Sequence, residues 1–270
     1  MIKSIIHDLF ENHHIRLTPS NLKRKVCRLQ PGCSPKAVLS SIKELVADGT
    51  LQYTSHFNTT HLELNFCKPV RISQRIVLMP QGHTCDPSDD GIRVIRMIQG
   101  GAFGIGDHPT TRLALRAVDR VMAQYLAQGL LRGIRALDIG TGSGVLAMAA
   151  AGLGAEEVLA LDIDHLALHE ARRNIHLNKM EKTIVVTDEP VENLAGVSYD
   201  LIMANLRPPT LKQILPRLQA VSSPNCHWII SGFRCEAMDA VVCMLPSEKT
   251  TVMNRDSVCG WAAITVRYLH

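Results

Sequence analysis

From Ile134 onward the chain alternates short apolar runs with longer amphipathic stretches. The runs Ala136 to Ile139, Val158 to Ile163, Ile184 to Thr187, Leu201 to Ala204 and Trp228 to Ser231 predict strands. Between them Val145 to Leu153, Leu166 to Leu177 and Thr210 to Val221 have apolar positions at helical spacing. Strands that read as continuous apolar runs are buried on both faces, and their alternation with helices predicts an α/β fold with a mostly parallel sheet covered on both sides. In such sheets ligands bind beyond the carboxyl ends of the strands, where the strand order reverses.

The pattern differs ahead of that region. Residues 1 to 66 predict three short helices and a hairpin. The first covers Ile2 to Phe10. The second opens on Thr18-Pro19-Ser20 and runs to about Leu29. The third starts at Ser34-Pro35, carries Val38, Ile42, Leu45 and Val46 on one face and ends at Asp48-Gly49. Strands near Leu51 to Thr54 and His61 to Asn65 flank a polar Asn58-Thr59-Thr60 tip. This order resembles a winged helix-turn-helix. Its third helix carries only Lys36 and Lys43 and none of the arginine, asparagine or glutamine side chains that read bases bidentately, so protein recognition or dimerisation is favoured over sequence-specific DNA binding. Residues 67 to 100 read as a connector with strands at Arg75 to Met79 and Ile92 to Ile98, and residues 101 to 270 as the second domain.

Composition narrows the class. At 270 residues the chain suggests two domains, and 46% hydrophobic with 20% charged residues is globular. No apolar run approaches the roughly 20 residues of a membrane span and the start of the chain lacks a signal-peptide core, so the expected setting is cytoplasmic, with no membrane partner. Eight cysteines without a C-x-x-C pair predict buried free thiols, and the twelve histidines, including the i, i+4 pair His165 and His169, predict no metal site. Residues 1 to 70 hold nine Lys/Arg against five Asp/Glu, which is the whole excess of the chain's +4. That asymmetry leaves an acidic or nucleic-acid partner open beside a merely solvated helix face.

Two glycine-rich segments carry the candidate chemistry: GAFGIGDHPTT from Gly101, and Asp138-Ile139-Gly140-Thr141-Gly142-Ser143-Gly144. The second leaves a buried strand and enters an alanine-rich helix, where glycines allow a tight turn and close backbone approach to a ligand. Asp162, ending the next strand about twenty residues on, is placed to take the two ribose hydroxyls of a nucleoside. No lysine lies in the turn, which excludes a Walker loop, and the third glycine comes one residue early for a dinucleotide fingerprint. A carboxylate at Asp138 would repel a pyrophosphate and attract an ammonium, so the loop suits S-adenosyl-L-methionine.

With LDIGTGSGVLAMAAAGLGA, LALDIDHLAL and YDLIMANL in place, the chain resembles class I methyltransferases with a Rossmann-like sheet. The preceding GAFGIGDHPTTRLAL makes it similar to the bacterial family that methylates ribosomal protein L11, over about two thirds of the chain from Ile92. The resemblance implies an S-adenosylmethionine-dependent N-methyltransferase acting on a lysine or N-terminal amine of a protein, with a ribosomal protein as partner. It implies cofactor contacts at Phe103, Gly104, Asp138, Gly140, Thr141, Gly142, Gly144, Asp162, Ile163, Asp188 and Asn205. The first glycine segment is expected to fold over the cofactor, with Phe103 covering an apolar side. Thr110 and Thr111 are expected to cap the next helix.

Asn205 is expected to position the acceptor amine through its amide oxygen. His108 is either a base or a hydrogen-bonded structural residue. Ile105 stands where the family usually has threonine, and Arg207-Pro208-Pro209 after Asn205 is similar to, without reproducing, the N-P-P-Y signature of amide and nucleic-acid amine methyltransferases. Two alternatives stay open: a small-molecule methyltransferase that forms a homodimer through its winged helix, and a nucleic-acid-binding regulator whose methyltransferase fold is a sensor.

Overall fold

The structure is a computed structural model of the whole chain, and it describes all residues except 14–16, 57–58, 84–90, 99–103, 105, 107, 195 and 270. Helices α1 (Ile2–His13), α2 (Pro19–Leu29) and α3 (Pro35–Ala47) precede a hairpin of β1 (Leu51–His56) and β2 (Thr59–Leu64). Local chemistry accounts for their ends. Thr18 Oγ1 accepts from the Asn21 amide at 3.2 Å and Ser34 Oγ from the Ala37 amide at 3.1 Å, each ahead of a proline in the first helical turn. Leu22 and Val26 of α2 and Val38, Ile42 and Leu45 of α3 are buried, as the helical spacing requires. Leu17 adds an isolated bridge to Leu62.

The segment from 67 to 100 forms a small sheet of β3 (Val70–Arg71), β4 (Ile76–Pro80) and β5 (Arg93–Met97), with β4 and β5 parallel. Helix α4 (Pro109–Ala127) leads into β6 (Arg135–Ile139), α5 (Val145–Gly152), β7 (Glu157–Leu161), α6 (His165–Leu177) and β8 (Ile184–Thr187). There follow β9 (Tyr199–Asn205), α7 (Pro208–Leu218), β10 (Ser222–Arg234), α8 (Met238–Val242), β11 (Thr250–Val258) and β12 (Trp261–Tyr268). The large sheet has the order β11-β12-β10-β9-β6-β7-β8, antiparallel at β10–β12–β11 and parallel elsewhere.

Alternate strand residues feed two cores. Ala136, Val158, Leu201 and Met203 pack with α4, α5, the small sheet and the three N-terminal helices in one continuous apolar cluster that starts at Ile6. Leu137, Ile139, Ile202, Ala204 and Trp228 pack with α7 and α8 on the other face. The region read as a connector is therefore part of the core. Asn174 of α6 and Asn178, the residue that caps the C-terminus of that helix, serve its edge strand: their Oδ1 atoms accept from the amides of Ile98 (2.9 Å) and Arg96 (2.8 Å), the groups a missing neighbour strand would have taken.

Three readings are corrected. The C-terminal strands β11 and β12 and helix α8 carry no sequence expectation, and β10 is far longer than Trp228 to Ser231. Thr110 and Thr111 do not cap α4. They lie fully buried in its first turn, and His108 is the cap residue, its Nδ1 accepting from the Thr110 amide at 3.3 Å. Of the described cysteines only Cys226 is buried; Cys67 and Cys243 are exposed and the other four partly covered.

Candidate functional site

Where β6, β7 and β9 end, the sheet order turns from β9 to one side and β7 to the other of β6, and a cavity of about 850 Å³ opens. Its walls come from the glycine turn (Ile139, Gly140, Gly142), from the segment after β7 (Asp162, Ile163, Asp164), from the segment after β8 (Asp188 to Glu192), from Asn205 and α7, and from His108, Gly232 and Trp261. The carboxylates Asp162, Asp164, Asp188, Glu189 and Glu192 all belong to the β7–β8 side.

The glycine turn is held from beneath. Gly140 and Gly142 have left-handed backbones (φ 72° and 55°), and a Cβ on Gly140 would run into the Leu206 side chain. Asp162 fixes the turn from the neighbouring strand: its Oδ2 accepts from the Gly142 amide at 2.8 Å and its Oδ1 from the Asp164 amide at 3.0 Å. Each oxygen keeps a lone pair for a ligand hydroxyl. Ile163, next in sequence, is 93% exposed on the cavity wall, where solvent gives an aliphatic side chain nothing to pack against. Asp188 is exposed on the same side.

Asp138, Thr141 and Gly144 lie behind the wall rather than in it. Asp138 is wholly buried; its Oδ2 accepts from Thr141 Oγ at 2.6 Å and from the Ala147 amide at 3.1 Å, so the carboxylate ties β6 to the turn and to the start of α5. Its Oδ1 is buried without a hydrogen-bond partner. Burial pushes its carboxyl up to about 7, against the two hydrogen bonds that favour the anion. A bound cation near the turn would offset that burial through its field. A Cβ on Gly144 would meet Ala171 of α6 at 3.4 Å, an ordinary contact, so glycine is favoured there by its left-handed backbone (φ 82°) rather than by lack of space. Gly104 is also buried away from the cavity, its carbonyl accepting from Ser143 Oγ at 2.9 Å. Phe103 and Ile105 lie outside the described residues.

The opposite wall draws on distant stretches. Asn205 ends β9; its Nδ2 donates to Thr111 Oγ1 at 3.4 Å, while its Oδ1 is buried with no hydrogen-bond partner. A buried amide oxygen left unmatched is costly unless a ligand supplies a donor. His108 Nδ1 lies 2.7 Å from Thr110 Oγ1 and its ring meets Trp261 edge-on at 4.6 Å. With Nδ1 accepting from the Thr110 amide, the neutral ring carries its hydrogen on Nε2, which supports the anchoring role over that of a base. Gly232 interrupts β10 with φ 95°, and a Cβ there would approach the Leu206 amide nitrogen to 2.6 Å. That close approach lets the Leu206 amide donate to the Ser231 carbonyl at 3.0 Å and keeps the end of β9 in the sheet.

Trp261, Gly232, Leu206, Arg207 and Arg217 were not expected in the wall. Gly232 in an apolar run was the one readable sign of a bulge; Trp261 has no local motif and reaches the site only through the β12–β10 register.

Comparison with known proteins agrees with this geometry. Residues 52–268 match the family described as ribosomal protein L11 methyltransferase (PrmA), so the first three helices precede the matched range. The ribosomal protein L11 methyltransferase of Geotalea daltonii is 34% identical over 185 residues, 66% of this chain and 57% of its own length. That of Exiguobacterium sibiricum is 31% identical over 218 residues, 81% of this chain and 66% of its own length. The chain thus spans less than two thirds of the length of these relatives. The crystal structure of ribosomal protein L11 methylase from Lactobacillus delbrueckii subsp. bulgaricus is similar with a TM-score of 0.66 and 26% identity, covering 75% of this chain and all of that one. By the extent of the matched segment, the chain belongs to the ribosomal protein L11 methyltransferase family.

Proposed function

We propose that the chain is an S-adenosyl-L-methionine-dependent methyltransferase that modifies amine nitrogens of a protein, either a lysine side chain or an N-terminal amine, with a ribosomal protein as acceptor in the cytoplasm. The observation that carries this reading is the unmatched Asn205 Oδ1 at the edge of a cavity whose other side offers the features a nucleoside needs.

The cavity residues fit the cofactor. Asp162 would hold the ribose hydroxyls, Ile163 would lie on a face of the base, and Asp188 would accept from its exocyclic amine. When bound, the cofactor supplies an electrophilic methyl group on a sulfonium.

The chain's own work is on the acceptor. An ammonium has no lone pair, and a free lysine with pKa about 10.4 is charged at neutral pH, so the amine must arrive neutral. The wall around Asn205 includes His108, Thr110, Leu206, Arg207, Gly232 and Trp261, with the lining carboxylates kept to the β7–β8 side. Partial desolvation there disfavours the charged form. Asn205 Oδ1 would accept one amine hydrogen and so aim the lone pair, while Nδ2 keeps its hydrogen bond to Thr111 Oγ1. Alignment of two bound reactants is the other large contribution such a site can make, and it needs neither a metal nor a covalent intermediate.

The test is incubation of the whole chain with tritium-labelled cofactor and a bacterial lysate. Label should enter a protein band, and Asn205→Ala should slow it roughly 10- to 100-fold, the loss of one hydrogen bond worth about 1.5 to 3 kcal/mol, with cofactor binding retained. Label confined to small molecules, or a variant as fast as the parent, would overturn the proposal.

A further inference from the structure

Cys27 of α2 and Cys33, the residue before the Ser34 cap of α3, bring their sulfur atoms to 3.5 Å across the turn that joins the two helices. Both are free thiols and both are partly covered. Cys33 Sγ donates to Cys27 Sγ, and Cys27 Sγ donates to the Cys33 carbonyl at 3.9 Å, so each thiol keeps its proton inside a closed pair of weak hydrogen bonds.

The backbone holds the sulfurs together from both sides. At the end of α2 the Gln30 amide donates to the Val26 carbonyl (2.9 Å), and the Cys33 amide donates to the Gln30 carbonyl (3.3 Å). Leu22 and Val26 of α2 and Val38 and Ile42 of α3 share one buried cluster, against which Cys27 and Cys33 pack. Between these fixed ends Gly32 has φ 92° and a Cβ on it would meet nothing within 4 Å, so the turn has room to shift. A disulfide needs its sulfurs at about 2.05 Å, about 1.5 Å closer than this contact, a gap that side-chain rotation and a small movement of the turn can close. Access is open as well: Cys33 lies in the wall of a cleft of about 560 Å³ that it shares with Met1, Lys3, Gly32 and Ser34.

We infer that Cys27 and Cys33 are a redox couple, oxidised to a disulfide by hydroperoxides and restored by small thiols, which pins the turn between α2 and α3. The pair precedes residues 52–268, the range of the family match, so it belongs to the helical segment and not to the matched catalytic fold. In the step, one sulfur takes an oxygen from the peroxide and becomes a sulfenic acid, with release of water. The second thiol attacks that sulfur; the S–S bond forms, the S–O bond breaks, and the hydroxyl leaves as water with the second thiol's proton. In the cytoplasmic setting proposed above, thiols are kept reduced and a disulfide of this kind is a transient, sensing one. Burial and the donation to Cys27 push the Cys33 thiol up, which slows oxidation and suits a couple that answers to sustained oxidant rather than to traces.

The experiment exposes the whole chain to hydrogen peroxide, blocks the remaining thiols with iodoacetamide and maps the tryptic peptides by mass. Trypsin separates the two cysteines, since Cys27 falls in residues 26–28 and Cys33 in residues 29–36. The two peptides should be recovered joined and two hydrogens lighter than their sum, and dithiothreitol should return both to the alkylated form. Cys27→Ser and Cys33→Ser should each abolish the joined species and drive the remaining thiol on to sulfinic or sulfonic acid. Oxidation of the parent should slow amide exchange across residues 29–36 roughly threefold or more, and leave it unchanged in either variant. Two thiols still open to iodoacetamide, over-oxidation of the parent without a cross-link, preferential cross-linking of either cysteine to another position or another chain, or unchanged exchange in the oxidised parent would each overturn the inference.

Discussion

The two walls of the main cavity are built in opposite ways. The β7–β8 wall, with the glycine turn, uses one stretch of chain from Ile139 to Glu192, in which each strand end is followed within a few residues by the group it presents. The acceptor wall joins His108, Asn205, Gly232 and Trp261, four positions on separate strands and loops that meet because β10 lies between β9 and β12. The first wall is specified by local backbone chemistry, the second by sheet register. The cofactor side should therefore tolerate substitution with its fold intact, while the acceptor side should fail through the fold.

The sharpest test of that contrast is Gly232→Ala. A Cβ at φ 95° would collide with the backbone of Leu206, which no rotamer change relieves. The variant should lose about 3 kcal/mol of stability, read from its urea midpoint. A loss under about 1 kcal/mol would show that β9 and β10 can slide apart, and would undo the claim that register sets the acceptor wall.

Asp138 gives the next largest effect. Its folded carboxyl titrates near 7, well above an ordinary aspartate, so between about pH 4 and 7 the folded state holds a proton that the unfolded state has released. Ligand-free stability should therefore fall as pH rises through that window. Asp138→Asn should flatten the fall, leaving the variant on the order of 2 kcal/mol less sensitive to pH than the parent in thermal melts at pH 5 and 8. Parallel melting curves for the two proteins would mean that the buried carboxylate has a partner in the ligand-free state.

The smallest effect belongs to Asp162→Ala. Calorimetry with the demethylated cofactor should show roughly tenfold weaker binding, about 1.4 kcal/mol, with little change in melting temperature. If stability drops with affinity, the Gly142 hydrogen bond is the main role of Asp162 and the two walls are less different than their construction implies.

The sequence was most readable where one residue's neighbours in the chain are also its neighbours in space. Strand ends at Ile139 and the 204–205 region are legible because parallel strands buried on both faces leave uninterrupted apolar runs. β11 was not, since TTVMNRDSV alternates between partly covered and exposed positions at the sheet edge and carries no apolar signal. The cap of α4 differs for a related reason: threonine is a common cap, but here both threonines are drawn into the core and His108 is the side chain that accepts from the Thr110 amide. The charge of Asp138 beside the glycine turn is legible in the sequence as an attraction for an ammonium; its complete burial and its hydrogen bond from Thr141, which make it also the brace of that turn, are not.

By itself the sequence determined the α/β alternation, the glycine turn and the carboxylate one strand over, because φ preferences, apolar periodicity and chain spacing act over a handful of residues. Only the tertiary structure decided that Asn205 Oδ1 is left without a donor, that Gly232 must lack a side chain and that Trp261 closes the wall. Burial and hydrogen-bond satisfaction depend on which distant strands become neighbours, and that order is set by the packing of the whole sheet.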